Sequence, residues 1–211
     1  MNAPPYEFTG PFQNCYHEPL NAMDKRHVGI VHGVLMCRKF KNALELGSWR
    51  GASSTAFIHA INAGRLEQVT FCDLTIQESL IDVISACDYF ERVRVTTEHS
   101  WDVLESGEDY DFILVDASHD IESVAKELLR LVIRKPRCVI AHDTSATEHG
   151  YEKCEGAQLL KEVFTGMEGY QCHEDAVKRE GERTERGLFL ATNDPGLHYC
   201  AGEVFSRFSK D

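Results

Sequence analysis

The feature that most restricts this chain is a rhythm: short apolar runs of strand length alternate with helix-length amphipathic segments from residue 42 to residue 143. Strands are predicted at 42–46, 69–72, 93–97, 112–115 and 138–141. Helices are predicted between them at 53–63, 77–87, 101–105 and 121–133, with Gly64 closing the first of these. Strands that alternate with helices imply a parallel sheet covered on both faces. A helix is expected before the rhythm, at about 20–39, and another after it, at 157–164. Two late strands, 169–173 and 187–191, fit an antiparallel pair at one edge. The stretch 174–186 between them is almost wholly charged or polar and reads as a solvated loop. The expected fold is α/β: a doubly wound, mostly parallel, seven-stranded Rossmann-like sheet with an antiparallel edge pair. Residues 1–39 form an arm and helix beside the site, and 40–211 form the ligand-binding domain.

With 211 residues, the chain suits one such domain. The formal charge of −12 argues against a nucleic-acid partner, because a phosphate backbone demands a basic face. The longest apolar stretch, around 29–37, is too short for a membrane span and holds His32. No two of the eight cysteines form a CxxC pair, so they read as reduced thiols, mostly buried. The opening Met-Asn-Ala-Pro-Pro carries neither a basic nor an apolar leader signal, and a cytoplasmic location is expected. Tyr6, Phe8, Phe12 and Tyr16 leave three readings of the arm open: a cover over an acceptor pocket, a homodimer interface, or packing on the sheet.

Ligands of open parallel sheets bind at the carboxyl ends of the strands. Here those ends carry chemistry. The first runs into Glu45-Leu46-Gly47-Ser48-Trp49-Arg50-Gly51. Its glycines permit positive φ and close backbone approach. The spacing matches neither the dinucleotide GxGxxG nor the phosphate-binding GK[ST] pattern. The second strand ends at Asp73, whose carboxylate can accept both hydroxyls of a ribose. The fourth ends at Asp116, with His119 three residues on, and the fifth at His142-Asp143. Two carboxylates on adjacent strands suit Mg²⁺ or another hard divalent cation. His119 suits general-base work near neutral pH. His142 reads as a structural edge residue, with direct metal ligation as the alternative.

Glu45 to Gly51, Phe71-Cys72-Asp73 and Phe112 to His119 together resemble the class I S-adenosylmethionine-dependent methyltransferases. Phe112 to Leu128 and Val139 to Thr144 resemble more narrowly the small O-methyltransferase branch, which includes macrocin-type enzymes and has catechol-type relatives. The likeness extends over about residues 40–193. It implies that Gly47, Ser48 and Gly51 flank the methionine part of S-adenosylmethionine, with Glu45 near its amino group. Asp73 would hold the ribose, Leu74 would pack on the adenine, and Ser100 and Trp101 would meet its edge. Asp116 would serve both cofactor and catalysis. Catechol-type relatives place a lysine base where His119 stands. They also have Asn after the second aspartate, where this chain has Thr144, so a metal at Asp116 and Asp143 and a metal-free enzyme both stay open. The expected activity is O-methylation of a small hydroxylated acceptor, sugar-like or phenolic. The alternative is a non-catalytic protein that binds S-adenosylmethionine or a nucleotide.

Overall fold

The computed structural model describes residues 23–145, 148–149, 152–177 and 185–208. The aromatic arm at 1–19 lies outside them. A seven-stranded sheet runs in the order β3-β2-β1-β4-β5-β9-β8. Its strands are β1 (Phe40–Leu46), β2 (Leu66–Cys72), β3 (Val93–Thr96), β4 (Phe112–Val115), β5 (Cys138–His142), β8 (Gln171–Val177) and β9 (Arg186–Thr192). The first five are parallel; β9 runs antiparallel to both β5 and β8. A separate antiparallel pair, β6 (Glu148–His149) with β7 (Glu152–Lys153), follows β5.

The central strands are continuous apolar runs because both of their faces are covered. Alternate residues feed two cores. One holds Phe40, Ala43, Phe71, Phe112, Leu114 and Ile140, under α1 (Lys25–Cys37), α2 (Ser54–Asn62), α3 (Glu78–Ser85) and α7 (Pro195–Phe208). The other holds Leu44, Leu46, Ile113, Val115 and Val139, under α4 (Ser100–Glu105), α5 (Ile121–Arg134) and α6 (Glu155–Gly166). Helix α1 begins at Lys25, five residues later than the expected start at about 20, and is capped by Asp24, whose side chain accepts a hydrogen bond from the Arg26 amide. Small residues bring α1 against α7: a Cβ on Gly29 or Gly33 would collide with Phe208 or Val204.

Two sequence expectations are corrected. The stretch 174–186 is not all solvated loop: Glu174–Val177 belong to β8, and both Asp175 and Arg186 are buried. Their charges are tolerated because each is paired, Asp175 with Arg26 and with His27 at 3.4 Å, and Arg186 4.0 Å from Asp143. The cysteines are not all free: Cys37 at the end of α1 is bonded to Cys200 in α7, across 163 residues. Packing of α1 on α7 brings their Cα atoms to 6.0 Å, a separation ordinary for a disulfide. By loop-closure entropy such a link stabilises the fold by at most about 5 kcal/mol. Reduction is expected to lower the melting temperature by roughly 10–20 °C in calorimetry with and without a phosphine reductant. No described helix is long and apolar enough to cross a membrane.

Candidate active site

A cavity of about 590 Å³ opens at the carboxyl ends of β1, β2, β4 and β5, where the strand order reverses between β1 and β4. Because β9 is antiparallel, its first residue, Arg186, reaches the same rim. Met23, just ahead of α1, also lines the cavity.

The turn after β1 forms one wall. Gly47 has φ +88°, and a Cβ there would stand 2.1 Å from the Asp116 carbonyl oxygen. Its own N–H donates to the Cys72 carbonyl at 2.8 Å, and the Asp116 N–H donates to the Leu46 carbonyl at 2.8 Å. Glycine therefore lets the ends of β1, β2 and β4 converge. Asp73 fixes the turn by accepting from the Trp49 N–H at 2.7 Å, while its other oxygen accepts from the Thr75 N–H at 3.0 Å. Ser48, Asp73, Leu74, Ser100 and Trp101 all line the cavity. Gly51 does not: at φ +84° it faces Leu80 and Val83, and so seats α3.

Glu45 does not line the cavity either. It is wholly buried behind the turn, where Ser54 Oγ donates to its Oε2. Burial pushes its carboxyl up to about 8, against the pull of the neighbouring serine hydroxyls. Folding thus favours the protonated acid. Between the ordinary carboxylate value of 4.5 and about 8 the folded chain binds more protons than the unfolded one, so stability from this group falls as pH rises through that window. Glu45→Gln is expected to be more stable than the parent at pH 8.5 and nearly equal to it at pH 5, read by urea denaturation at both values.

On the side of β3 and α4, Ser100 Oγ donates to Glu127, a wholly buried residue of α5 whose carboxyl burial raises to about 7. Trp101 stacks on His99 at 4.4 Å, and the Lys126 ammonium lies 4.7 Å from the indole centroid. Leu74 is 62% exposed, an apolar surface held open at the cavity wall.

The opposite end holds the acidic and imidazole groups. His119 Nε2 lies 3.1 Å from Asp143 Oδ2 and 3.9 Å from Asp116 Oδ1. His142 Nδ1 lies 3.1 Å from Asp116 Oδ1 and 3.6 Å from Asp143 Oδ1. Far from being an edge residue, His142 is buried, and its Nε2 lies 3.1 Å from Nδ1 of His27 in α1. Asp143 sits in the left-handed region at φ +56°, a conformation aspartate tolerates better than most residues. Burial opposes its ionisation, but His142, His119 and Arg186 hold its carboxyl well below the usual range. Burial alone would lower His142; Asp143 and Asp116 outweigh this and raise it. His27 is lowered, chiefly by burial, although Asp175 pulls the other way.

Sequence reasoning does not find His27, Arg186 or Asp175. They come from a helix, a strand start and a strand interior distant from one another in the chain. The only signal is the density of charge at 174–186, which reads equally well as solvent-exposed.

Residues 44–144 match the family model described as a methyltransferase domain. That span runs from β1 to the residue after Asp143. No curated protein matches the chain. Among solved structures, it is similar to the O-methyltransferase TomG from Streptomyces achromogenes, involved in tomaymycin synthesis and in complex with S-adenosylmethionine. The TM-score is 0.69 at 14% identity, over 88% of this chain and 90% of that one. An O-methyltransferase from Bacillus cereus in complex with S-adenosylhomocysteine gives a TM-score of 0.66 at 15% identity, covering 86% and 90%. Identities this low speak for the fold, and the domain match speaks for the chemistry carried on it. With its sheet order and its reversal-point cavity, the chain is similar to these O-methyltransferases in fold, and its segment from β1 through β5 is similar to a methyltransferase domain.

Proposed function

We infer that the protein transfers a methyl group from S-adenosylmethionine to a hydroxyl oxygen of a small acceptor, with His119 as base. The observation that carries this reading is the placement of His119, 3.1 Å from Asp143, in the same cavity as Asp73 and the Gly47 turn. The cavity volume is in the range of sites for small cofactors and ligands. Asp73 would take the ribose hydroxyls, and Gly47 and Ser48 the methionine part. Leu74, Ser100 and Trp101 would border the adenine. Glu45, neutral in the empty fold, would meet the amino group only through the turn it supports. The segment before β1 borders the acceptor side through Met23.

When bound, S-adenosylmethionine supplies an electrophilic methyl on a leaving group that needs no protonation. The chain must align the acceptor oxygen, exclude water and take up one proton. His119 takes that proton, and Asp143 stabilises the imidazolium that results. Asp116 and Asp143 would hold a divalent cation, which when bound lowers the hydroxyl pKa. Supporting a cation there, Asp143 Oδ1 is buried and has no hydrogen-bond partner among the described residues. The net charge of −12 favours a small acceptor over nucleic acid.

Calorimetry with S-adenosylhomocysteine, followed by turnover assays on catechols and hydroxylated sugars, tests the reading. Absence of cofactor binding would sink it. Binding without turnover on any hydroxyl acceptor would favour a binding-only protein.

A further inference from the structure

We propose that His142 joins Asp116 and Asp143 as a nitrogen ligand to a divalent transition-metal ion, and that His27 and Asp175 are its outer support. The metal site is that of the preceding reading; the third ligand, the class of ion and the supporting chain are new.

Proton bookkeeping carries the argument. Asp175 is paired with Arg26 and accepts, so the His27 nitrogen facing it, Nε2 at 3.4 Å, carries the hydrogen. His27 Nδ1 is then bare. It lies 3.1 Å from His142 Nε2, and two ring nitrogens at that distance need one proton between them. That proton belongs to His142 Nε2. In a neutral His142 the chain from Arg26 through Asp175 and His27 therefore puts the hydrogen on Nε2 and turns a bare Nδ1 toward two carboxylates. A lone pair facing two anions calls for a cation between them.

The geometry favours a metal ion over a bridging proton. One donor atom from each of Asp116, His142 and Asp143 lies within 4.8 Å of the others. The Nδ1 separations of 3.1 and 3.6 Å from the two carboxylates approach the roughly 3 Å between neighbouring ligands around an ion held at about 2.1 Å. A proton on Nδ1 would satisfy Asp116 alone. Asp143 Oδ1 would keep only the ion pair with Arg186 at 4.0 Å, with no hydrogen bond among the described residues. His119 holds the other Asp143 oxygen and so turns Oδ1 inward. An imidazole among the ligands shifts preference from Mg²⁺, which takes oxygen, toward Mn²⁺, Co²⁺ or Zn²⁺. The second ring nitrogen hydrogen-bonded to a buried partner is the usual support of a metal-binding histidine.

The test is metal binding by the full chain, without cofactor and with saturating S-adenosylhomocysteine, and needs no turnover. Titration calorimetry is expected to give one site, at least tenfold tighter for Co²⁺ or Mn²⁺ than for Mg²⁺. Electron spin echo modulation of bound Mn²⁺ should show coupling to one imidazole nitrogen, lost in His142→Ala. His27→Phe should weaken Co²⁺ binding by roughly 10–100-fold. No binding in either condition, preference for Mg²⁺, or Mn²⁺ without nitrogen coupling in the parent protein would overturn the proposal. The parent measurement does not depend on the variants folding. Nitrogen-coupled metal in a protein that turns over no acceptor would leave this site standing while the methyl-transfer reading fell; turnover without it would do the reverse.

Discussion

His119→Ala is expected to lower kcat by roughly 10²–10⁴-fold, the usual range for loss of a positioned general base, with the affinity for S-adenosylhomocysteine changed less than about threefold. The two effects separate because His119 sits at the acidic end of the cavity, beside Asp143 and Asp116, whereas the turn and Asp73 form a different wall. Its imidazole is buried enough that removal leaves space, but it belongs to the loop between β4 and α5 rather than to either core. Stopped-time assays for S-adenosylhomocysteine release, beside calorimetry on the same preparation, check both halves. A variant that kept parent turnover would remove His119 from the mechanism. One that lost cofactor affinity in proportion to rate would make it a structural residue.

Asp73→Ala is expected to weaken S-adenosylhomocysteine binding by roughly 10²–10³-fold. Two hydrogen bonds from ribose hydroxyls to a carboxylate contribute about 1.5 kcal/mol or more each. The same substitution strips the Trp49 N–H of the partner that now holds it at 2.7 Å, so the turn loses its anchor as well. Asp73→Asn keeps one carbonyl oxygen and should fall between parent and alanine variant. Equal affinity in all three proteins would take the ribose away from Asp73.

Much of this architecture is legible from residue pattern because the central strands are buried on both faces. Apolar runs such as Phe112–Val115 then stand out against polar helix surfaces. Asp73, Asp116 and Asp143 are legible for the same reason: each ends such a run. Helix α7 is not. Its buried residues, Leu197, Ala201 and Phe205, lie four apart among glycine, histidine and cysteine, too thin a stripe to read as amphipathic. Asp175 was hidden by its charge: a carboxylate in a polar stretch reads as solvated, and only α1 docking against β8 supplies the Arg26 that makes burial affordable. The Cys37–Cys200 bond depends on α1–α7 packing, which no spacing of 163 residues encodes. His142 was recognised as a strand end, but its direction depends on His27, a helix away.

The left-handed backbone at Asp143 narrows the evolutionary freedom of that position from two sides. Conformation alone admits glycine, asparagine and aspartate there at least cost and disfavours β-branched side chains most. Charge alone would accept glutamate. Aspartate meets both demands at the lowest cost, so a saturation library at position 143 is expected to retain Gly and Asn among folded variants and to give Asp the highest activity. Backbone conformation and the proposed chemistry thus meet in one side chain, where exchange to glutamate keeps the charge at a conformational cost.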